Sequence, residues 1–363
     1  MKCWCSIGVA IAALIVATEC VDVTSRPMPG FTVNLDLAPA DRWVHIASVY
    51  AVEIRKTVEL VLGVIPGEIK AAADKAMDLT GPRIFQNLGD YGLEMQGIAE
   101  TVGIAPRDIV LCNLMYELTA KCTSIVANAP DGTVLHGRNL DFGDGTPFTS
   151  FLRSIAINVN FQRNNATVYE ATTYVGYVGA LTASRPEAWS VSIDEVVVGP
   201  AYPWPVLLSV LDGLLNPRVH LTTLLIREIL ENTTFTQAVD ILGNRQLVAP
   251  VYLIMAGVNT DEGVVITRDR LRAKDFWWLD SSAGDWFLVE TNYDHWLPAP
   301  PADDRRDVAI DCMNSVGPSD ISPDTLYSCL SEEPVLNDST TYTAIINNAQ
   351  TLYDCKVRMC CTH

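Results

Sequence analysis

The stretch "YELTAKCTSIVANAPDGTVLHGRNLDFG", Tyr116 to Gly143, decides how the rest of the chain is read. "CTSIVA", Cys122 to Ala127, alternates as a half-buried strand does, and "PDG", Pro130 to Gly132, has the chemistry of a turn. "TVLHGRNLDF" then returns as a second strand, so the segment forms a hairpin. Its first strand begins on a thiol, and its return strand carries a cation and a carboxylate, Arg138 and Asp141. That combination asks for a chemical explanation, because a paired or buried structural cysteine needs neither.

Composition narrows the setting. The chain has 363 residues, 49% of them hydrophobic and 19% charged, enough for a large core. A formal net charge of −18 excludes a nucleic-acid surface, which needs clustered Lys and Arg. The self-repulsion of such a chain eases as its carboxylates protonate toward roughly pH 4 to 5, which suits an acidic compartment. At the start, "MKCWCSIGVAIAALIVATEC" has Lys2, a short apolar run and then polar residues. It reads as a secretory signal peptide over residues 1–17, with an uncleaved anchor as the rival. No other run is long enough to span a bilayer.

Entry into the secretory pathway makes disulfides and glycans relevant. Eight cysteines follow the signal: Cys20, Cys112, Cys122, Cys312, Cys329, Cys355, Cys360 and Cys361. The C-terminal cluster suggests a small loop bridge. Asn165, Asn232 and Asn337 open N-x-S/T sequons and are candidate glycan acceptors.

Residues 41 to 121 read mostly helical, with Asp41 as an N-cap before "RWVHIASVYAVEIRKTVELVLG". Residues 122 to 199 are β-rich. Helices are expected near Pro205–Leu215, Leu221–Glu231 and Thr236–Leu242. Strands return in "PVYLIMAGV", "EGVVITRD", "DFWWLD" and "DWFLVETNYD", and the tail from Ser322 reads as helix followed by a cysteine-rich end. That order points to layered α+β architecture rather than a doubly wound parallel sheet.

Cys122 is either a small buried hydrophobe, half of a disulfide, or a nucleophile. A nucleophilic thiol needs a base. The five histidines, His45, His136, His220, His295 and His363, include no pair at metal-ligand spacing, and no G-x-S-x-G elbow occurs. Another base is available if the Lys121–Cys122 bond is cut. The new α-amine has an ordinary pKa of about 7.7–8.0. It is fixed beside the thiol, so one residue carries both nucleophile and base.

Here the residues resemble a known family. "CTSIVA…GTVLHGRNLDFG" is similar to the start of the catalytic subunit of the acid ceramidases and N-acylethanolamine-hydrolysing acid amidases. "VNLDLAPADRW", "VNFQRNNATV", "YVGYVGALT", "APVYLIMAGVNTDEGVVITRDR", "VETNYDHWLPAP", "DDRR" and "EEPVLNDSTTYT" follow in the family's order. The resemblance implies an N-terminal-nucleophile hydrolase with a four-layer αββα core. It implies a precursor that cuts itself between Lys121 and Cys122 into a helical α-subunit, 18–121, and a catalytic β-subunit, 122–363, which remain an α/β heterodimer. Cys122 would be nucleophile and base, Arg138 and Asp141 would position it, and Asn292 would donate to the oxyanion. Arg305 would support that set. Glu195 falls where the family has an acid followed by Arg, but Val196 follows here, which leaves an interaction of that missing Arg in doubt. Taken alone, Asp141 is as readily a turn residue, Arg305 and Arg306 a solvated pair, and Asn292 a loop cap.

The resemblance also implies that Cys20 and Cys312 tie the two subunits together and that Cys355 and Cys360 close the C-terminal loop. It implies no cofactor and no metal. The substrate it implies is a long-chain lipid amide met at a membrane or micelle surface, with a lipid-activator protein as a possible partner, in the lysosome or outside the cell. Ceramide is the first expectation and N-acylethanolamine the second. A catalytically silent lipid-binding protein of the same fold is the rival from another class.

Overall fold

The computed structural model describes residues 25–63, 65–115, 120–142, 147–196, 210, 211 and 213–359. The signal segment, Cys20, Cys360, Cys361, His363 and most of the expected helix at Pro205–Leu215 therefore lie outside the described residues. Strands β1 (Ser25–Pro27) and β2 (Gly30–Asn34) come first. Five helices follow: α1 (Val44–Val49), α2 (Ala51–Gly63), α3 (Gly67–Leu88), α4 (Asp90–Val102) and α5 (Pro106–Met115). Asp41 is not their cap. It closes a single 3-10 turn, Pro39–Asp41, and α1 starts after Trp43 without a side-chain cap.

The decisive hairpin is present as β3 (Ala120–Asn128) and β4 (Val134–Phe142). Gly132 in its turn has φ +85°, a left-handed conformation that glycine adopts without a Cβ clash. Helix α6 (Pro147–Ile155) leads into β5 (Ala156–Arg163), β6 (Ala166–Tyr174), β7 (Thr182–Arg185) and β8 (Trp189–Glu195). Next come β9 (Val219–His220), α7 (Thr222–Leu230), α8 (Phe235–Asn244) and β10 (Gln246–Leu247). Four strands follow: β11 (Val251–Ala256), β12 (Gly263–Arg268), β13 (Ala273–Trp278) and β14 (Phe287–Glu290). The chain ends in α9 (Arg305–Val316), α10 (Pro323–Cys329), β15 (Thr340–Asn347) and β16 (Leu352–Arg358).

Ser322 caps α10 through a capping box with Thr325. Beyond it the tail departs from expectation. "TTYTAIIN" is a fully buried strand that pairs with β4 and β16. Its two faces are both covered, so it shows no alternation that would reveal it.

Two sheets stack face to face. One has six strands in the order β1-β16-β15-β4-β3-β14, the other eight in the order β13-β12-β11-β8-β7-β6-β5-β2. Helices α9 and α10 cover the outer face of the first, burying Ile125, Leu135, Met313, Leu326 and Leu330. A Cβ at Gly137 would lie 2.8 Å from the Leu330 side chain, so glycine there lets α10 and the turn after it pack closely on β4. On the outer face of the second sheet, Val191, Leu253, Met255 and Ile266 share a core with Leu225, Val239 and Leu242 of α7 and α8 and with the N-terminal helices. The result is the four-layer α/β/β/α sandwich.

Candidate active site

Between the two sheets lies a polar layer, and it is buried. Register sets it up: Cys122 pairs with Leu140 and Ser124 with Arg138 across the hairpin, so these side chains leave the sheet on one face. His136, two residues from Arg138, shares that face rather than the opposite one. The facing strand β8 presents Ser190, Ser192 and Asp194 to it, inverting the usual arrangement of apolar-in and polar-out.

Cys122 is fully buried. Arg138 Nη2 donates to its Sγ at 2.9 Å and to the Ile193 carbonyl at 2.8 Å, and Sγ itself lies 3.5 Å from that carbonyl. Arg138 Nη1 donates to the Leu181 carbonyl and to Tyr342 Oη, both at 3.0 Å, and also meets Thr182 Oγ1. A guanidinium held on four sides cannot swing away from the sulfur. Burial pushes the thiol pKa up, and Arg138 opposes that shift by favouring the thiolate.

The Cys122 backbone is gripped as firmly. Its N–H donates to Asn292 Oδ1 at 3.0 Å, and its carbonyl accepts from Arg305 Nη1 at 2.8 Å. Arg305 also donates to Asn292 Oδ1 at 2.9 Å, pairs with Asp141 at 3.2 Å and with Asp303 at 2.7 Å. Asp141 accepts further bonds from Thr340 Oγ1 at 2.7 Å and Asn337 Nδ2 at 2.9 Å. Burial raises its pKa, with Arg305, Thr340 and Asn337 pulling the other way. Lys121 is exposed, and its peptide bond to Cys122 is continuous along β3.

Of the residues singled out in the sequence, Cys122, Arg138, Asp141, Asn292 and Arg305 converge here. Glu195 enters through its backbone: its carbonyl accepts from Asn292 Nδ2 at 2.9 Å. Alternation along β8 places its side chain on the face shared by Val191 and Ile193. The acid facing the thiol is its neighbour Asp194, which sequence reasoning missed, along with Ser124, Ser192, Thr182, Tyr342 and Thr340. The i, i+2, i+4 polar series Ser190-Ser192-Asp194 was the available signal.

Two expectations, both on cysteine pairing, need correction. Cys312 is bonded to Cys329, 17 residues away, and so is not joined to Cys20. Cys355 carries a free, buried thiol that accepts from Thr172 Oγ1 at 3.1 Å, with burial pushing its pKa to about 12. Asn337 uses its amide nitrogen on Asp141 and on the Pro334 carbonyl. A glycan on that nitrogen would remove one of the two hydrogens donated. Asn165 and Asn232 are exposed, as acceptors need to be.

A sandwich of this kind with an arginine-paired cysteine on its central hairpin defines a cysteine amidohydrolase of the N-terminal-nucleophile fold. The comparisons agree. A profile described as linear amide C–N hydrolases, choloylglycine hydrolase family, matches residues 122–308. One described as the beta subunit of N-acylethanolamine-hydrolyzing acid amidase matches residues 26–83, so "beta" there denotes the N-terminal, helical segment. Acid ceramidase of Mus musculus is 35% identical over 348 residues, covering 92% of this chain and 87% of that protein. N-acylethanolamine-hydrolyzing acid amidase of Oryctolagus cuniculus is 40% identical over 331 residues, covering 90% and 89%. The solved Caenorhabditis elegans ortholog of that amidase superposes with a TM-score of 0.55 at 36% identity, covering 63% of this chain and 93% of that one. The chain belongs to the acid ceramidase and N-acylethanolamine-hydrolyzing acid amidase family of linear amide C–N hydrolases.

Proposed function

We propose that the chain is a lysosomal or secreted precursor that cuts itself before Cys122 and then hydrolyses the amide joining a long-chain acyl group to an amino alcohol. The observation that carries this is the double grip on Cys122, with Arg138 on the sulfur and Asn292 on the nitrogen. Once the Lys121–Cys122 bond is broken, that nitrogen is an amine held beside the thiol. It takes the Sγ proton as sulfur attacks the substrate carbonyl, then passes it to the departing amine. Water hydrolyses the acyl-enzyme and frees the fatty acid. Arg138 favours the thiolate. Asp141 and Arg305 fix the Cys122 backbone. Asn292 Nδ2, on leaving the Glu195 carbonyl, would donate to the oxyanion.

Ceramide, giving sphingosine and fatty acid, is the first substrate, supported by the acid ceramidase relatives. N-acylethanolamine, giving ethanolamine and fatty acid, is the second. It gains from the 40% identity to the rabbit amidase. A lipid-activator protein would present either substrate from a membrane. Among the described residues no helix is long and apolar enough to cross one.

The test is N-terminal sequencing after incubation near pH 4.5, with both lipids assayed side by side. Wild type should yield a segment beginning Cys-Thr-Ser-Ile, and Cys122→Ala should stay whole and inactive. A cut, active Cys122→Ala chain would refute the nucleophile assignment, and the ratio of kcat/KM values names the substrate.

A further inference from the structure

If the precursor cuts itself, that first reaction has a problem the later ones do not. In substrate hydrolysis the α-amine of Cys122 protonates the leaving group. In self-cleavage that nitrogen is the leaving group, and an amide nitrogen cannot depart without gaining a proton. A separate acid must stand beside the thiol. We propose that Asp194 is that acid, a catalytic residue of the maturation step. The inference rests on the self-cleavage described above.

Asp194 is fully buried on β8, one residue beyond the carbonyl that faces Sγ. Its Oδ1 accepts from Ser124 Oγ at 2.9 Å, while Oδ2 is buried with no hydrogen-bond partner among the described residues. Ser124 stands two residues from Cys122 on the same face of β3, so the bond to it brings the carboxyl to the thiol's side of the sheet. Ser124 is itself fixed by Ser192 at 2.8 Å, and His136 spans Ser192 and Ser190, 2.9 Å from each. A buried carboxyl with one oxygen anchored and the other unpartnered is placed to exchange a proton rather than to hold a charge.

The surrounding charges agree. Burial raises Asp194 to about 7, against the opposing pull of Arg138, Ser124, Arg305 and the Cys122 thiol. Glu290, whose carboxyl is raised by burial to about 8, also feels Asp194. His136 is lowered to about 3 by burial and by Arg138, so it stays neutral and supplies no competing proton. In acid Asp194 is therefore a neutral O–H donor.

Sγ bonds to the carbonyl carbon of Lys121 and the bond from that carbon to the Cys122 nitrogen breaks. Asp194 gives its proton to the departing nitrogen and takes one from Sγ. The products are a Lys121–Cys122 thioester and a free α-amine. Water then adds to the thioester, leaving a Lys121 carboxylate and the thiol.

The experiment follows labelled full-length chain after a shift to different pH values. It measures the appearance of the segment starting at Cys122. Asp194→Asn should cut about 100-fold more slowly, and the cutting that remains should lose its dependence on pH near 7. Cutting by wild type should fall as pH rises through about 7, where Asp194 loses its proton. Ser124→Ala removes a bond that favours the carboxylate, so its profile should move to higher pH. That shift decides the matter even if Asp194→Asn folds poorly. Asp194→Asn cutting at the wild-type rate, Asp194→Asn keeping the wild-type pH profile, or an unmoved Ser124→Ala profile would each overturn the assignment. A wild-type chain that never cuts would instead overturn the self-cleavage on which it rests.

Discussion

Replacing Asp141 by Ala should cost far more than replacing Asp303, although both pair with Arg305. Asp303 has the shorter contacts, at 2.8 Å and 2.7 Å, but its side chain is 22% exposed. Water can replace part of what is lost there, so Asp303→Ala should cost about 1 kcal/mol, in the range of partly exposed ion pairs. Asp141 is only 2% exposed and is ringed by Arg305, Thr340 and Asn337. Its removal leaves three donors short of an acceptor at a site water does not reach. Breaking one side of a buried pair costs about 3–5 kcal/mol. Desolvation of Asp141 in the intact protein, visible in its raised pKa, keeps the loss within that range rather than at the sum of three charged hydrogen bonds. The assay is thermal melting in a Cys122→Ala background, in which the proposed self-cleavage would not occur. At about 2 °C per kcal/mol for a chain this large, Asp141→Ala should melt roughly 6–10 °C lower. A double-mutant cycle with Arg305→Ala should give a coupling above about 1 kcal/mol. An Asp141→Ala loss no larger than that of Asp303→Ala would mean that burial does not set the strength of this cluster.

Asn292→Ala should lower kcat roughly 10²–10³-fold on cut protein if its amide meets the oxyanion, and unchanged turnover would remove it from that role. Stability of the Cys122→Ala chain should be higher at pH 5 than at pH 8. The folded pKa values of Asp194, about 7, and Glu290, about 8, lie above ordinary carboxyl values, so their contribution is full in acid and lost as pH rises through them. Calorimetry checks this, Asp194→Asn should flatten the slope, and a midpoint that climbs between pH 5 and pH 8 would contradict it. Asn165→Gln and Asn232→Gln should each increase electrophoretic mobility when the chain is made in a glycosylating cell. Asn337→Gln should not, because that amide is bound to Asp141.

The hairpin half of the site was legible because its geometry is local. Two strands and a turn put Cys122 and Arg138 on one face by register, while Asp141, opposite Lys121, lies on the other and is tied to Cys122 through Arg305. Asn292 and Arg305 reach Cys122 from 170 and 183 residues away, and no pattern within a strand or helix encodes such a contact. They were found only through family resemblance. Asp194 was missed for a different reason. "WSVSIDE" alternates, but period-2 reading assigns the serines and the acid to solvent, whereas here a second sheet covers them. β15 escaped because burial on both faces erases its period. Cysteine pairing failed as sequence reasoning usually does, since spacing alone does not bring Cys312 and Cys329 together across α9 and α10.

The location of the Lys121–Cys122 bond also explains how a cut chain would stay whole as a particle. The N-terminal segment contributes an edge strand to each sheet: β1 pairs with β16 and β2 with β5. Arg26 Nη2 donates to the Arg153 carbonyl at 2.8 Å, closing the first edge. Deeper in, Glu94 of α4 is fully buried and paired with Arg227 of α7 at 2.6 Å and with Arg42 at 3.0 Å, and Trp43 Nε1 donates to it at 2.7 Å. Separating the segments would strand Glu94 and Arg227 without each other, and a buried charge left alone costs several kcal/mol. Asn113 adds a bond in each direction to the loop after β6, through Gly176 and Val178. Cleavage before Cys122 would therefore release two chain ends within the six-stranded sheet while these contacts hold both segments in place. An inter-segment disulfide is not needed for that, which is consistent with Cys312 closing a bridge inside the C-terminal segment instead.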